Sequence, residues 1–337
     1  MEAQDKHTAR TAVLEVSKLS TVFDTREGVA PAVQEASFVL RAGETLGLVG
    51  ESGCGKTVTA LSIMRLIRAP GRITGGSVMF EGRDLLSLPE REMRHIRGNR
   101  ISMIFQEPTT SLNPVFPIGS QIMEVYLHHK NMHRREARQR SADMLLHVGL
   151  TDTERVMRAY PHQLSGGMRQ RVLIAMALAC IPDIVIADEP TTAIDVTVQA
   201  QILALIRKLK SDFGMAVLLI SHDLAIVADM CDRVAMMYAS RIVETAPVEA
   251  LFRIPSHPYT VGLLHSIPSR HAPHTRLPLI PGQVPRPVEY PAGCHFAGRC
   301  ALATDACRAA EPPLESIADG HEVACWHWEK VRGKSYI

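Results

Sequence analysis

The sequence predicts an α/β protein built around a parallel, helix-covered sheet, with a separate module at its carboxyl end. Three observations support this. Short apolar segments alternate with longer helical patterns, and each of these segments ends in polar residues. After Ile254 the sequence becomes rich in proline and ends in a cluster of cysteines. With 337 residues, of which 46% are apolar, the chain is long enough to bury a large core.

Four segments are predicted as strands of the sheet: "ETLGLVG", "RISMIFQ", "DIVIADEP" and "AVLLISHD". In such sheets, ligands bind at the carboxyl ends of the strands, where the polar residues of these segments cluster. Between Glu107 and Pro161 the sequence is helical and lacks strand patterns, which predicts an inserted helical subdomain.

Composition and charge exclude several classes of protein. Lys and Arg number 37 against 35 Asp and Glu, and a net charge of +2 does not favour nucleic acid as a partner. The basic run at residues 134–140 is predicted to be a solvated helix face. The longest apolar run, from Val172 to Ile181, is shorter than the roughly 20 residues of a membrane span, and a buried helix is expected. Residues 1–10 lack an apolar signal, so the protein is expected in the cytosol.

Residues 50–57, "GESGCGKT", match the phosphate-binding pattern G-x-x-x-x-G-K-[ST] between a predicted strand and a predicted helix. Glycines let the backbone curl so that its N–H groups face phosphates. Lys56 is expected to contact the β- and γ-phosphates, and Thr57 to bind Mg²⁺. A plain glycine-rich turn is the alternative. The predicted nucleotide contacts of this loop are Gly50, Glu51, Ser52, Gly53, Cys54, Gly55, Lys56 and Thr57.

Polar residues at other strand ends are candidates for catalysis. Asp188 can order the Mg²⁺ shell, and Glu189 can polarise a water for attack on the γ-phosphate. Gln106 and His222 each follow an apolar strand and can contact the γ-phosphate or the attacking water. Considered alone, the acidic pair is equally consistent with a loop cap, and a histidine such as His222 is more often a hydrogen-bonded surface residue.

A second candidate anion site lies at Ser165, Gly166 and Gly167, where a helix pattern begins in "QLSGGMRQRVLIAMALA". The first N–H groups of a helix are unpaired and carry its positive dipole end, so they attract phosphate. Because this helix start is too far along the inserted subdomain to cover the first site, we expect a second subunit to supply it in a head-to-tail dimer. Phe23 can stack on a base, although a lone phenylalanine is more often a core residue.

These segments together resemble the ATP-binding subunits of ABC transporters. "GESGCGKT" is similar to the Walker A motif, Gln106 to the Q-loop, "LSGGM" to the signature motif, "DIVIADEP" to the Walker B motif, "TAID" to the D-loop and His222 to the switch histidine. All six occur in the family's order within residues 13–250. Met168 departs from the usual Gln of the signature, and "TAID" departs from Ser-Ala-Leu-Asp.

The resemblance implies a nucleotide-binding domain over residues 1–254, with a P-loop sheet core, an N-terminal antiparallel β subdomain and a helical subdomain at about 107–165. It implies ATP and Mg²⁺, with the ion held by Thr57, Gln106 and Asp188. Phe23 then contacts the adenine, and Asp195 of the D-loop contacts nucleotide. Hydrolysis is implied to depend on Glu189, His222 and Gln106.

Residues 255–328, with "SHPYTVGLLHSIP" and "GCHFAGRC", resemble the C-terminal extension of oligopeptide and dipeptide importer ATPases. This implies a domain at 255–337 and a role in powering import of short peptides; nickel complexes or glutathione are alternative cargoes. The implied partners are two membrane-spanning permease subunits, a second ATP-binding subunit, which the resemblance favours as a distinct chain, and an extracytoplasmic substrate-binding protein. The resemblance also implies that the protein is bound peripherally to the cytoplasmic face of the inner membrane. A soluble ABC ATPase acting on nucleic acid or ribosomes is the rival interpretation.

Cys294, Cys300, Cys307 and Cys325 fall within the tail at spacings unlike those of a zinc ribbon. Spacing alone leaves zinc, an iron-sulfur cluster and free thiols open. The family resemblance implies a [4Fe-4S] cluster bound by the four cysteines and hence a metal-binding extension. His295, His321 and His327 are nearby and keep zinc as an alternative.

Overall fold

The computed structural model describes residues 11–106, 111–192, 194–267 and 279–332. The chain divides into two compact units, each discontinuous in sequence. The first comprises Met1–Val13, Leu40–Glu44 and Ser87–Leu219; the second comprises Leu14–Val39, Thr45–Leu86 and Ile220–Ile337.

The chain contains twelve strands and twelve α-helices among the described residues. The strands are β1 Ala12–Thr25, β2 Gly28–Arg41, β3 Thr45–Val49, β4 Gly71–Phe80, β5 Arg83–Asp84, β6 Ile101–Ile104, β7 Ile184–Asp188, β8 Ala216–Ser221, β9 Arg233–Tyr238, β10 Arg241–Pro247, β11 Glu315–Ala318 and β12 His321–Val323. The helices are α1 Lys56–Ile63, α2 Glu90–Ile96, α3 Ile118–Lys130, α4 Arg134–His147, α5 Thr153–Arg158, α6 Gly166–Leu178, α7 Val196–Phe213, α8 Leu224–Met230, α9 Val248–Arg253, α10 Pro258–His265, α11 Asp305–Ala309 and α12 Trp328–Val331. The four segments predicted as strands correspond to β3, β6, β7 and β8.

The first unit contains β7, β6 and the residues of β8 up to Leu219, in the order β8-β7-β6. β6 and β7 pair in parallel register from Ile101 opposite Ile184 to Ile104 opposite Ala187. Every residue of these two strands is buried, as expected of a parallel sheet covered on both faces. The buried strand β7 therefore ends with Asp188 at its carboxyl end, and the helical residues between 111 and 165 contain no strand among those described.

The helices of the first unit differ in how much of their surface is buried. In α4, the basic residues are exposed while Ala137 and Leu145 are buried, so the predicted solvated face is confirmed. The helix predicted over Val172–Ile181 is buried but ends at Leu178. Ile181 has φ of 52° and is 54% exposed, because the chain turns there toward β7.

The second unit contains two sheets. One is antiparallel, in the order β2-β1-β4-β5, and it matches the expected N-terminal β subdomain. The other contains strands in the order β11-β12-β10-β9-β3, in which only β3 and β9 pair in parallel. The two units together therefore contain both parallel and antiparallel pairing.

The C-terminal residues are less loop-like than their proline content suggests. They form α10, α11, α12 and the hairpin β11–β12, and β12 pairs with β10 through Glu244 opposite Val323. A further bond joins the Ala324 N–H to the Val243 carbonyl at 2.8 Å. The tail thus extends the sheet of the second unit.

Within the described parts of the chain, no helix combines the length and apolar character needed to cross a membrane.

Candidate functional site

The loop at residues 50–55 connects β3 to α1, as the sequence predicts. Gly53 and Gly55 have φ of 80° and 109°, a region that only glycine occupies without strain. A side chain at Gly50 is excluded because its Cβ would lie 2.0 Å from the Met237 carbonyl oxygen. The backbone is therefore packed closely around a tight turn, the shape that a phosphate-binding loop needs.

Lys56 begins α1 and is buried, with 6% of its surface exposed. Its Nζ donates to the carbonyl oxygens of Gly50 at 2.8 Å and Glu51 at 3.1 Å. Thr57 follows at an exposed position, as do Ser52 and Gly53. The ammonium group thus lies inside the curl of the loop, next to the N-terminus of the helix.

Two contacts to Glu51 were not predicted from the sequence. The Arg299 guanidinium donates to both carboxylate oxygens, at 2.9 and 3.3 Å, and the Glu51 N–H donates to the Tyr259 hydroxyl at 2.9 Å. Burial raises the pKa of Tyr259 well above its ordinary value, so this hydroxyl stays neutral. No sequence signal pairs residues so far apart in the chain.

The predicted catalytic residues of the first unit lie together. Gln106 Nε2 donates to Glu189 Oε2 at 3.0 Å, and the Thr192 hydroxyl donates to the same oxygen at 2.9 Å. Asp188, at the end of β7, has 1% of its surface exposed. Glu189 has φ of 44°, a conformation that costs energy for a residue with a side chain. The sequence did not predict the contact of Thr192.

Ser165 and Asp195 each cap a helix of the first unit. The Ser165 hydroxyl accepts from the Met168 N–H at 3.3 Å at the start of α6, and the Asp195 carboxylate accepts from the Val198 N–H at 2.9 Å at the start of α7. Ser165, Gly166 and Asp195 are all exposed. Met168, which departs from the usual signature, takes part in the cap through its backbone only.

Phe23 and His222 belong to the second unit. Phe23 lies in β1 opposite Gly71, whose missing side chain leaves room for the phenylalanine ring; a Cβ there would lie 2.5 Å from it. The ring remains partly exposed, so it is not a core residue. His222 directly follows β8 and is exposed.

The four clustered cysteines of the tail line one small apolar cavity, together with Phe296 and His327. His295 and His321 instead contact the Ala239 carbonyl at 2.7 Å and Glu244 at 2.8 Å. The four cysteines are Cys294, Cys300, Cys307 and Cys325.

The expected metal-binding character of this extension is not supported. In the parts of the chain described, which include all four cysteines, no three His, Cys, Asp or Glu residues are placed to hold a metal ion. The Cys300 and Cys325 sulfurs accept the N–H groups of Leu302 and His327, each at 3.4 Å. Burial raises the pKa of Cys294 and of Cys325 to about 12, so these two cysteines are neutral thiols as long as no metal is bound.

Comparison with known proteins identifies two family matches. The model of the family "ABC transporter" matches residues 33–192, and the model "Oligopeptide/dipeptide transporter, C-terminal region" matches residues 243–307. The chain is 52% identical to the probable peptide ABC transporter ATP-binding protein y4tR of Sinorhizobium fredii, covering 95% of this chain and 96% of that one. It is 50% identical to the oligopeptide transport ATP-binding proteins AppD of Bacillus subtilis, covering 95% and 98%, and OppD of Escherichia coli, covering 94% and 93%.

A solved structure agrees with these matches. It is the dimeric structure of an ATP-binding cassette in a post-hydrolysis state, bound to ADP and Pi, with a TM-score of 0.63 and 26% identity over 70% of this chain and 98% of that one. The fold is therefore that of an ATP-binding cassette, and ATP and Mg²⁺ are the implied cofactors. The chain belongs to the ATP-binding subunits of ABC transporters, an ATPase family, and carries the C-terminal region of the oligopeptide/dipeptide transporters.

Proposed function

We propose that this chain hydrolyses ATP to power the import of short peptides through an ABC transporter. The observation that carries the proposal is a combination: a lysine-bearing phosphate loop and a carboxylate held by Gln106 occur in a chain whose C-terminal region matches the oligopeptide/dipeptide group. The assignment of a peptide cargo rests on relatives that are about 50% identical in sequence to this chain and whose names specify peptide or oligopeptide transport.

In this proposal residues 50–57 bind the triphosphate and Phe23 stacks on the adenine. Lys56 exchanges the carbonyl oxygens of Gly50 and Glu51, which it now contacts, for phosphate oxygens. Thr57, Gln106 and Asp188 supply hydroxyl, amide and carboxylate oxygens, the donors that fit Mg²⁺. The ion, when bound, neutralises charge on the phosphates.

Glu189 is proposed as the group that polarises the attacking water. The bonds from Gln106 and Thr192 both end on Oε2 and fix the orientation of the carboxylate, which is proposed to accept a proton from the attacking water. Held in a positive-φ conformation, the side chain is directed by the backbone as well. His222 is proposed to contact the γ-phosphate.

Ser165, Gly166, Gly167 and Asp195 are proposed to act on the nucleotide of a second ATP-binding subunit. Their exposure at two helix starts supports this, because a surface N-terminus offers N–H donors to an approaching phosphate. The second subunit is proposed to be a distinct homologous chain.

The permease subunits are proposed to dock next to Gln106, at "EPTTSLNPVFPIG". Residues 107–110 of this segment lie outside the described residues. In the remainder, Val115 and Phe116 are 69% and 52% exposed, and the buried Gln121 bonds to the backbone of Asn113 and Phe116. Apolar side chains on a loop held in one conformation suit a binding surface. With such partners, the chain is expected peripherally on the cytoplasmic face of the inner membrane, in a complex with an extracytoplasmic substrate-binding protein.

For the tail we propose a domain over residues 255–337 beside a nucleotide-binding domain over 1–254, with its helical subdomain at about 107–165. We also propose that the four cysteines bind a [4Fe-4S] cluster. All four line one apolar cavity, and thiolate sulfur is the ligand that such clusters take. Binding requires the thiols to lose their protons.

Glu189→Gln tests the catalytic assignment. In the assembled transporter, this variant should bind ATP with unchanged affinity and hydrolyse it at least about a hundredfold more slowly, since the amide cannot take a proton. Glu154→Gln is a matched control, because Glu154 forms only exposed ion pairs in the same unit, and it should keep the wild-type rate. A wild-type rate in Glu189→Gln contradicts the assignment.

A further inference from the structure

The segment from Cys294 to Cys300 places different side chains on two sides of the backbone. Cys294, Phe296 and Cys300 line the cysteine cavity. His295 and Arg299 instead contact the part of the second unit that surrounds the phosphate loop. One short stretch of the tail therefore connects the two regions.

Arg299 holds the second residue of the phosphate loop through its side chain. Its guanidinium donates to both oxygens of Glu51, and further to the Pro281 carbonyl at 2.9 Å and the Tyr238 hydroxyl at 3.4 Å. Only 8% of the Arg299 side chain and 29% of the Glu51 side chain are exposed. A planar guanidinium with four such acceptors has one orientation, so it fixes the carboxylate in direction as well as in distance.

Tyr259 holds the same loop residue through the backbone. Its hydroxyl accepts the Glu51 N–H at 2.9 Å, and the tyrosine is fully buried. The Tyr259 ring packs against Tyr238 and Phe296, with ring centres 4.7 and 5.7 Å apart. The hydroxyl therefore has little freedom to move away from the loop.

A third connection passes through the turn between β9 and β10. His295 Nδ1 contacts the Ala239 carbonyl at 2.7 Å, and the Ser240 N–H donates to the Cys54 carbonyl at 2.9 Å. The tail thus supports the phosphate loop near its start and near its end.

We propose that Arg299 and Tyr259 are positioning residues of the ATP site, which hold the phosphate loop in its binding conformation before nucleotide arrives. The inference rests on the proposed role of residues 50–57. Without these contacts, ATP must order the loop as it binds, and ordering the backbone of one residue corresponds to about a five- to thirtyfold change in affinity. The neighbouring glycines of the loop remain packed when these contacts are removed. We therefore expect a change in affinity in the lower part of that range.

The test measures ATP affinity of the full chain by nucleotide titration, and KM and kcat in the assembled transporter. Arg299→Met should weaken ATP binding and raise KM about five- to tenfold, with kcat within about twofold of wild type. Tyr259→Phe should act in the same direction. Arg308→Met removes an exposed ion pair of the same tail and should leave affinity unchanged.

The ion pair itself is tested by a double-mutant cycle. Glu51→Gln should weaken binding as Arg299→Met does, and the combined variant should be no weaker than the worse single variant, because both remove one interaction. Fully additive losses mean that Arg299 acts elsewhere and overturn the proposal, as does unchanged affinity in Arg299→Met. Arg299→Lys, which keeps the charge, should recover part of the affinity; no recovery in a chain that unfolds at the wild-type temperature counts against the ion pair.

Lys56→Ala separates this inference from the proposed site. Loss of ATP binding in Lys56→Ala with unchanged binding in Arg299→Met overturns the inference alone. Unchanged binding in Lys56→Ala shows instead that residues 50–57 do not bind the nucleotide.

Discussion

Glu244 is the group whose replacement should most clearly separate the tail from the sheet on which it packs. Its carboxylate is fully buried and accepts three hydrogen bonds. The Ser256 N–H and His321 Nε2 donate to Oε1 at 2.7 and 2.8 Å, and the His257 N–H donates to Oε2 at 3.0 Å. One side chain of β10 thereby holds both the entry into the tail and its β12 strand.

The magnitude follows from those bonds. The glutamine side chain of Glu244→Gln has the same shape as glutamate but only one oxygen that accepts hydrogen bonds. If that oxygen takes the position of Oε1, the amide nitrogen faces the His257 N–H and cannot accept from it. One buried donor is then left without an acceptor, which costs about 1–3 kcal/mol. Glu244→Ala removes all three bonds and should cost more, about 3–5 kcal/mol by analogy with breaking a buried ion pair.

Hydrogen exchange of the full chain measures this cost at the right place. Glu244→Gln should speed exchange of the β12 amides about five- to 150-fold, the equivalent of 1–3 kcal/mol in local opening. Amides of β6 and β7 should exchange at the wild-type rate. Glu249→Gln, at an exposed position shortly after β10, is the control. Equal protection of β12 in wild type and Glu244→Gln refutes the reasoning.

Three further predictions concern other parts of the chain. Ser165→Arg should leave ATP binding by the isolated subunit unchanged and abolish hydrolysis in the complex; loss of binding in the isolated subunit shows that the site acts within one chain. Burial raises the pKa of the Glu311 carboxyl from 4.5 to about 7. The protonated carboxyl therefore contributes fully to the free energy of unfolding below pH 4.5, and this contribution is lost as the pH rises through 7. In denaturant titrations, Glu311→Gln should therefore be more stable than wild type at pH 8, and its stability should not fall as the pH rises through 7. Equal stability of the two proteins at pH 8 contradicts this prediction. Protein purified without oxygen should be brown with about four irons per chain, and Cys294→Ser should bleach it whereas Cys180→Ser should not; a colourless wild-type protein contradicts the cluster.

Local pattern was sufficient to predict some parts of the fold. The strand before Gly50 and the helix from Lys56 follow from an apolar run, a glycine-rich turn and a helical period within about twenty residues. The end of the helix before Ile181 was missed, because an apolar run does not show where the chain turns. The predicted strand-end location of Asp188 was confirmed for the same reason that β3 was: a buried parallel strand has a distinctive apolar run.

Local sequence patterns could not predict contacts between residues that are far apart in the chain. Glu51 and Arg299 lie 248 residues apart, and their pairing depends on how the tail packs. The common cavity of the four cysteines likewise depends on several turns whose joint geometry no spacing rule contains. The pairing of β12 with β10 was missed because Glu322 and its neighbours form a strand of only three residues, too short for a period-two pattern.

That short strand has a consequence for any shortened form of the protein. β10 is buried from Ile242 to Ala246. One edge of β10 pairs with β9, and β12 pairs with the other edge. A chain ending at residue 254 would present this edge, with its open N–H and C=O groups, to solvent. Exposed edges of this kind add strands from other molecules. Such a chain should therefore self-associate and precipitate even though every residue expected to bind nucleotide is still present.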